Sequence, residues 1–126
     1  MKILLLLHIS LMLLYSCTLV TSKSELESFI PGTYIRFSVH EYGTEYDTVV
    51  ITLQNQSAQE YKILRKWKYE RVIDGTPIEP DYKRLITTGI YKSRQKVMQE
   101  NETGESYSFD VKEGALFIGS TKYKKL

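Results

Sequence analysis

Apolar and polar residues alternate with a period of two along most of the chain, from about residue 33 to the C-terminus. The clearest case is residues 60–73, where aromatic and aliphatic side chains share one parity and lysines dominate the other. Successive side chains of a β-strand point to opposite faces, whereas a helix would mix these two sets. The pattern therefore predicts one long, half-buried strand over residues 60–73.

Turn-forming residues divide the chain into further strands of the same kind. Breaks of this type are Pro31-Gly32, Asn55-Gln56-Ser57, Asp74-Gly75, Asn101–Gly104 and Glu113-Gly114. They leave predicted strands at 33–40, 46–53, 82–91, 92–100, 106–111, 115–118 and 120–126, although residues 93–102 taken alone also fit a helix. Seven or eight short strands with frequent turns predict an all-β fold, an antiparallel meander closed as a small barrel, with a β-sandwich as the alternative.

The N-terminal residues have the three parts of a secretory signal: a positive start at Lys2, an apolar run over residues 3–14, and small residues after it. The apolar run is about 12 residues long, whereas a helix that crosses a bilayer needs about 20. The run is therefore interpreted as part of a signal peptide and not as a transmembrane helix of the mature protein.

Two cleavage sites fit this signal. Leu14-Tyr15-Ser16-Cys17 resembles the lipobox of bacterial lipoproteins, which implies that Cys17 becomes the first mature residue and carries acyl chains. Tyr15 stands where the commonest lipobox has a smaller residue. In the alternative, an ordinary signal peptidase cuts after Ser22, with Val20 and Ser22 at the small-residue positions, and Cys17 is discarded.

The domain organisation follows from these sites. Residues 1–16 form the signal peptide, or 1–22 in the alternative. Residues 17–30 form a tether with one possible helical turn, and residues 31–126 form the barrel domain. Cys17 is the only cysteine, so no disulfide within the chain is available.

Charge is nearly balanced, with 17 Lys and Arg against 15 Asp and Glu. This balance argues against nucleic acid as a partner. Basic residues are concentrated between about residues 62 and 96, so the folded domain is expected to have a basic face.

Candidate catalytic and metal-binding chemistry is sparse. Only His40 of the two histidines follows the signal, and its acidic neighbours Glu45 and Asp47 are interpreted as part of a solvated turn. Glu79 and Asp81 flank a proline and are typical of a loop. The sequence therefore predicts no catalytic residues, no metal site and no cofactor, and the protein is not expected to be an enzyme.

Two sets of candidate binding residues lie on the longest predicted strand. Arg65, Trp67, Tyr69 and Arg71 share one parity. They would bind a carboxylate or an aromatic ligand by bidentate hydrogen bonds and cation–π stacking, or else pack as arginines over aromatic rings without a ligand.

Three lysines, Lys62, Lys66 and Lys68, share the opposite parity on the same strand. They are interpreted as solvated exterior, or as a docking face for an acidic partner or for anionic lipid headgroups.

Both ends of the barrel segment resemble a known family. Gly32-Thr33-Tyr34 resembles the Gly-x-Trp start of lipocalin-type barrels, and residues 119–126 resemble the last strands of short lipocalin-like lipoproteins. With the lipobox-like start, the chain is similar to small lipoproteins of Bacteroides-type bacteria. This resemblance implies an eight-stranded barrel and an outer-membrane or periplasm-facing address.

The sequence therefore predicts a bacterial envelope protein, anchored to the membrane by acyl chains on Cys17, that binds a protein partner or a small apolar ligand. A carrier of this kind is expected to have a cavity lined by Ile35, Phe37, Val49, Trp67 and Phe109. The alternatives are a structural accessory of an envelope or conjugation complex without a ligand cavity, and a soluble secreted form.

Overall fold

A computed structural model describes residues 23–126 and contains one helix and nine strands within that range. The elements are α1 (Lys23–Phe29), β1 (Gly32–His40), β2 (Gly43–Asn55), β3 (Glu60–Ile73), β4 (Thr76–Pro77), β5 (Asp81–Lys92), β6 (Val97–Glu100), β7 (Ser106–Asp110), β8 (Ala115–Ile118) and β9 (Thr121–Lys125). The predicted all-β class is confirmed. The segment 93–102, for which a helix also fitted the sequence, is a turn followed by β6.

Eight of the strands form a closed antiparallel barrel. Each strand pairs with its neighbour in the chain, except that β3 pairs with β5, and β1 pairs with both β2 and β9 to close the ring. β4 is a two-residue addition to the end of β3. The barrel is therefore the predicted meander, and the β-sandwich alternative is wrong.

Helix α1 and the residue after it close one end of the barrel. Ile30 is fully buried, and Leu26 and Phe29 pack against the same core. The backbone oxygen of Phe29, a helix-end carbonyl that needs a partner, accepts from the Tyr34 hydroxyl at 2.8 Å and from Lys125 Nζ at 2.5 Å. Residues 23–30 were expected to belong to a tether, but they are part of the folded domain because their apolar side chains fill the end of the barrel.

The core fills the half of the barrel next to α1. Its fully buried side chains come from β1, β2, β3, β6, β7 and β8: Tyr34, Val49, Ile51, Tyr61, Ile63, Met98, Tyr107 and Leu116. Tyrosines contribute much of this volume, and burial raises the pKa of Tyr34 and raises the pKa of Tyr107 to about 12. These phenols therefore stay neutral at physiological pH and act as large core side chains with one polar end.

The residues of β1 that face the barrel interior are not those expected to line a carrier cavity. Tyr34 lies opposite Val49 in the β1–β2 register and is buried, so Ile35 and Phe37 lie on the outer surface, and Phe37 is 66% exposed. Tyr34 takes the inner position because its hydroxyl has backbone acceptors in the helix end. Of the expected lining, Val49 and Phe109 belong to the packed core region, and only Trp67 reaches a cavity.

The strands have unequal lengths, and this gives the barrel an incomplete wall. β2, β3 and β5 have 12 to 14 residues, whereas β6 to β9 have four or five. β9 pairs with β1 only at Tyr34 and Ile35, and β6 pairs with β5 only from Gly89 to Lys92. Consequently β1, β2, β3 and β5 project beyond the closed ring, at the end opposite α1.

Candidate functional site

The inner face of the four projecting strands forms a concave surface that we call the mouth platform. It consists of the inward-facing residues of 36–40, 43–47, 67–71 and 81–83. The strand register arranges them in rows across the sheet. One row is Arg36, Asp47, Trp67 and Lys83, the next is Ser38, Glu45, Tyr69 and Asp81, and the last is His40, Gly43 and Arg71. Aromatic rings on the central strand β3 are thus flanked by charged side chains.

A cavity of about 590 Å³ lies on this platform. Its lining residues are His40, Glu45, Trp67, Tyr69, Asp81 and Lys83. Ligand sites in proteins typically combine aromatic walls with a few convergent polar groups, and their volumes fall in this range. The mouth cavity is therefore the candidate site.

His40 and Tyr69 form one wall of the cavity. Their rings lie 5.6 Å apart at an interplanar angle of 31°. They approach each other across Gly43, which occupies the position between His40 and Arg71 in the last row. A Cβ at Gly43 would lie 2.0 Å from the backbone oxygen of Glu70, so only glycine fits at this point.

A buried charge cluster forms the floor beneath the cavity. Arg65 is 8% exposed, and its guanidinium donates to Asp47 Oδ2 and to Glu105 Oε2, both at 3.0 Å. The Tyr123 hydroxyl also donates to Asp47 Oδ2. The guanidinium lies 4.6 Å from the centroid of the Trp67 ring. The cluster therefore fixes the position of the tryptophan that lines the cavity above it.

The guanidinium of the cluster stays charged although it is buried. Burial lowers the pKa of Arg65, but the charge of Asp47, the two tyrosines Tyr107 and Tyr123 and the hydrogen bond to Asp47 together outweigh this and raise it overall. Burial, followed by the hydrogen bond to Asp47, raises the pKa of Tyr123. A permanently charged guanidinium held by two carboxylates favours a rigid floor and not a proton-transfer site.

Arg71, the second predicted arginine, lies near the outer end of the platform. Its guanidinium is 5.8 Å from the Tyr69 ring centroid and forms an exposed ion pair with Asp81. Each of the two guanidiniums thus lies within cation–π distance of an aromatic ring on the same face of β3. Both guanidiniums already bind carboxylates, so Trp67 and Tyr69 are the members of the predicted set that offer free surface to the cavity.

A second buried carboxylate, Glu100, lies outside the cavity lining and holds a loop. It accepts hydrogen bonds from Thr87 at 2.6 Å, from the Thr103 hydroxyl, and from the backbone N–H groups of residues 102 and 103 at 3.0 Å. Burial would raise the pKa of this carboxyl, but the hydrogen bonds lower it overall. Glu100 is therefore an ionised clamp on the β6–β7 loop.

The three predicted partner-binding lysines lie on the outer face of β3. Lys62 and Lys66 are exposed, whereas Lys68 pairs with Glu70 and lies 5.5 Å from the Tyr46 ring centroid. Lys66 lies directly opposite Arg84 of β5, which is also exposed, and neither has an ion-pair partner among residues 23–126.

The predicted lipidation site, Cys17, and both cleavage sites lie outside the described residues. Within residues 23–126, no helix is long and apolar enough to cross a membrane. The same part of the chain contains no group of three or more His, Cys, Asp or Glu side chains arranged for a metal ion.

Four lining residues, His40, Glu45, Asp81 and Lys83, were not predicted as site residues. The first three were expected in solvated turns and loops. The strand parity contained the signal, because Glu45 continues the inward positions of Val49 and Ile51, and Lys83 continues those of Thr87. Inward parity that passes from apolar to charged residues marks the point where the packed core gives way to an open cavity.

Comparisons of the chain with protein-family models, with curated proteins and with solved structures found no match.

Proposed function

We propose that this protein is a binding module that holds a small, ring-bearing polar ligand in the mouth cavity. The observation that supports the proposal is the cavity itself, with Trp67 and Tyr69 exposed in its lining beside charged side chains. Flat aromatic faces bind the rings of sugars or aromatic compounds, and the polar groups around them fix the orientation. The cavity favours a binding module over the alternative of a structural accessory without one.

The residues that line the cavity restrict the class of ligand predicted from the sequence. Besides the two aromatic residues it contains His40, Glu45, Asp81 and Lys83. A wholly apolar ligand would displace water from Glu45 and Lys83 without supplying a partner for either charge. The guanidiniums of Arg65 and Arg71 are each paired with a carboxylate, so they support the two rings and do not bind the ligand themselves. The proposed ligand therefore contacts Trp67 and Tyr69 directly and the arginines indirectly.

Trp67 is the only tryptophan, so its fluorescence reports on the cavity alone. Titration with phenyl glycosides and with 4-methylbenzyl alcohol is expected to change this fluorescence in a saturable way. Tyr69→Ala is expected to weaken binding about 2- to 12-fold, the usual contribution of one aromatic contact. Tyr82→Ala is the matched control, because Tyr82 lies beside the same rows but points outward and is 71% exposed. Equal effects of the two substitutions, or no saturable signal, would contradict the proposal.

We also propose that the protein is located in the bacterial envelope and is anchored there by acyl chains on Cys17. Residues 18–22 span at most about 17 Å even when fully extended. A lipidated Cys17 would therefore hold the α1 end of the barrel near the membrane, and the mouth cavity, at the opposite end, would face away from it. The cut after Ser22 would instead release a soluble domain in which α1 is intact.

The outer face of the projecting strands supports a second candidate function, docking of a protein partner. Phe37, Val39 and Tyr82 are between 66% and 71% exposed there, and Tyr82 lies two residues from Arg84, which is directly opposite Lys66. Exposed apolar side chains beside unpaired cations are typical of a surface that binds an acidic protein.

Reversal of two lysine charges tests this second function. Lys62→Glu/Lys66→Glu is expected to weaken capture of an acidic partner from envelope extracts by about tenfold or more, with an unchanged thermal melt. Lys68 is left in place because it pairs with Glu70. The control is Lys96→Glu/Lys112→Glu, at two exposed lysines in the turns that follow β5 and β7. Equal capture by both double variants would exclude this face as the interface.

A further inference from the structure

The charges in the mouth cavity are distributed unevenly between its two sides. Of the three charged lining residues, Asp81 is neutralised by Arg71. Glu45 on β2 and Lys83 on β5 have no hydrogen-bond or ion-pair partner among residues 23–126. The cavity thus has one free negative group and one free positive group, on opposite sides of the aromatic strand β3.

A second carboxylate, Asp47, lies beneath the cavity lining on the Glu45 side. Oδ2 of Asp47 binds Arg65 and Tyr123, but Oδ1 has no hydrogen-bond partner, although Asp47 is only 3% exposed. Asp47 follows Glu45 by two residues on the same face of β2, so the two carboxylates lie on the order of 7 Å apart along the strand. Because Asp47 is paired with Arg65 and does not line the cavity, Glu45 is the carboxylate that is available to contact a ligand cation on this side.

The aromatic groups favour the same arrangement. The faces of Trp67 and Tyr69 lie between the two free charges, and aromatic faces attract cations. Arg65 lies 4.6 Å from the Trp67 centroid, whereas Arg71 lies 5.8 Å from the Tyr69 centroid and is neutralised by Asp81. Tyr69, directly opposite Glu45, is therefore the better position for a ligand cation. Lys83 is directly opposite Trp67 and is positioned to receive an anion at the other end.

We infer that the ligand of the mouth cavity is a zwitterion, a ring with a cationic group at the Glu45 side and an anionic group at the Lys83 side. This inference rests on the proposed function of the cavity. Glu45 and Lys83 are two strands apart, so their Cα atoms are on the order of 10 Å from each other. Their long side chains shorten this gap to about the length of one ring with a charged group at each end.

Four para-substituted benzenes with a constant ring test the inference. 4-(Aminomethyl)benzoate carries both charges, 4-methylbenzylamine only the positive one, 4-methylbenzoate only the negative one, and 4-methylbenzyl alcohol neither. Titrations followed by Trp67 fluorescence are expected to rank the zwitterion first, each ion about fivefold weaker, and the alcohol weakest. A factor of about five corresponds to one ion pair near the surface.

Two substitutions separate the two ends. Glu45→Gln is expected to weaken binding of the two cationic probes about fivefold and to leave 4-methylbenzoate unchanged, whereas Lys83→Met has the reverse effect. Both side chains lack partners in the fold, so thermal melts of the variants are expected to match the wild type. Equal binding of all four probes, or equal loss of all four in either variant, would overturn the zwitterion and leave the proposed function standing. Binding of none of the four probes would overturn the zwitterion, and the additional absence of phenyl glycoside binding would overturn the proposed function.

Discussion

Asp47→Ala is expected to lower the free energy of unfolding by about 3–5 kcal/mol, the cost of a buried charge left without its partner. Asp47 and Arg65 are 3% and 8% exposed and are joined at 3.0 Å, so water cannot replace the lost carboxylate without opening the barrel. The remaining partner of Arg65, Glu105, is half exposed and compensates only in part. Urea denaturation of the two proteins measures the difference.

Asp81→Ala is the matched control, because it removes the carboxylate that pairs with Arg71 in an exposed ion pair. Its expected cost is below about 1 kcal/mol. Replacement of both buried charges in Asp47→Leu/Arg65→Met is expected to recover most of the stability, since apolar pairs often substitute for buried ion pairs. Similar losses for Asp47→Ala and Asp81→Ala would show that the floor cluster is not a buried structural unit.

Cys17→Ser is expected to move the protein almost completely from the membrane fraction to the soluble fraction. Two or more acyl chains anchor a protein stably, and serine cannot accept them through a thioether. Palmitate labelling and the mass of the mature N-terminus measure the outcome. Because α1 closes the barrel, the released domain is expected to keep its thermal melt and its ligand binding. An unlabelled wild-type protein that begins at Lys23 would contradict the anchor and support the cut after Ser22.

Strand parity predicted much of the barrel, because the sheet imposes a strict period of two. β3 and β8 have the predicted bounds, and Arg65 and Trp67 lie on the predicted inner face. For β1, the predicted inner face was wrong. The more apolar set of its residues, which includes Phe37, faces outward, whereas Tyr34 faces inward. The hydroxyl of Tyr34 donates to carbonyls of the α1 end, which stabilises its inward orientation, and no local pattern reveals these acceptors.

The site could be predicted only in part for a related reason. Trp67 and Tyr69 were recognisable from their shared parity, but Glu45 and Lys83 became site residues only through the unequal strand lengths. If β6 to β9 had matched the length of β3, the ring would continue around these charges. The short strands leave the mouth platform open. The alternation of residues within one strand does not reveal how its length compares with that of another strand, so the open platform could not be predicted from it.

One half of the barrel is packed and the other half is open, so substitutions in the two halves are expected to have different effects on stability and on binding. The packed half next to α1 contains most of the fully buried side chains, and the Arg65 cluster separates it from the cavity. Substitutions on the cavity side of this cluster, such as those at Glu45, Tyr69 and Lys83, are therefore expected to alter binding with little change in folding. Substitutions within the cluster are expected to alter both.

The indole N–H resonance of Trp67 tests the central claim most directly. As the only tryptophan, Trp67 gives a single indole signal in a ¹⁵N–¹H spectrum. Addition of 4-(aminomethyl)benzoate is predicted to shift this signal along a saturable curve, together with the amides of residues 43–47, 67–71 and 81–83, while the amides of α1 stay unchanged. An indole signal that does not move while another surface responds would contradict a ligand site in the mouth cavity.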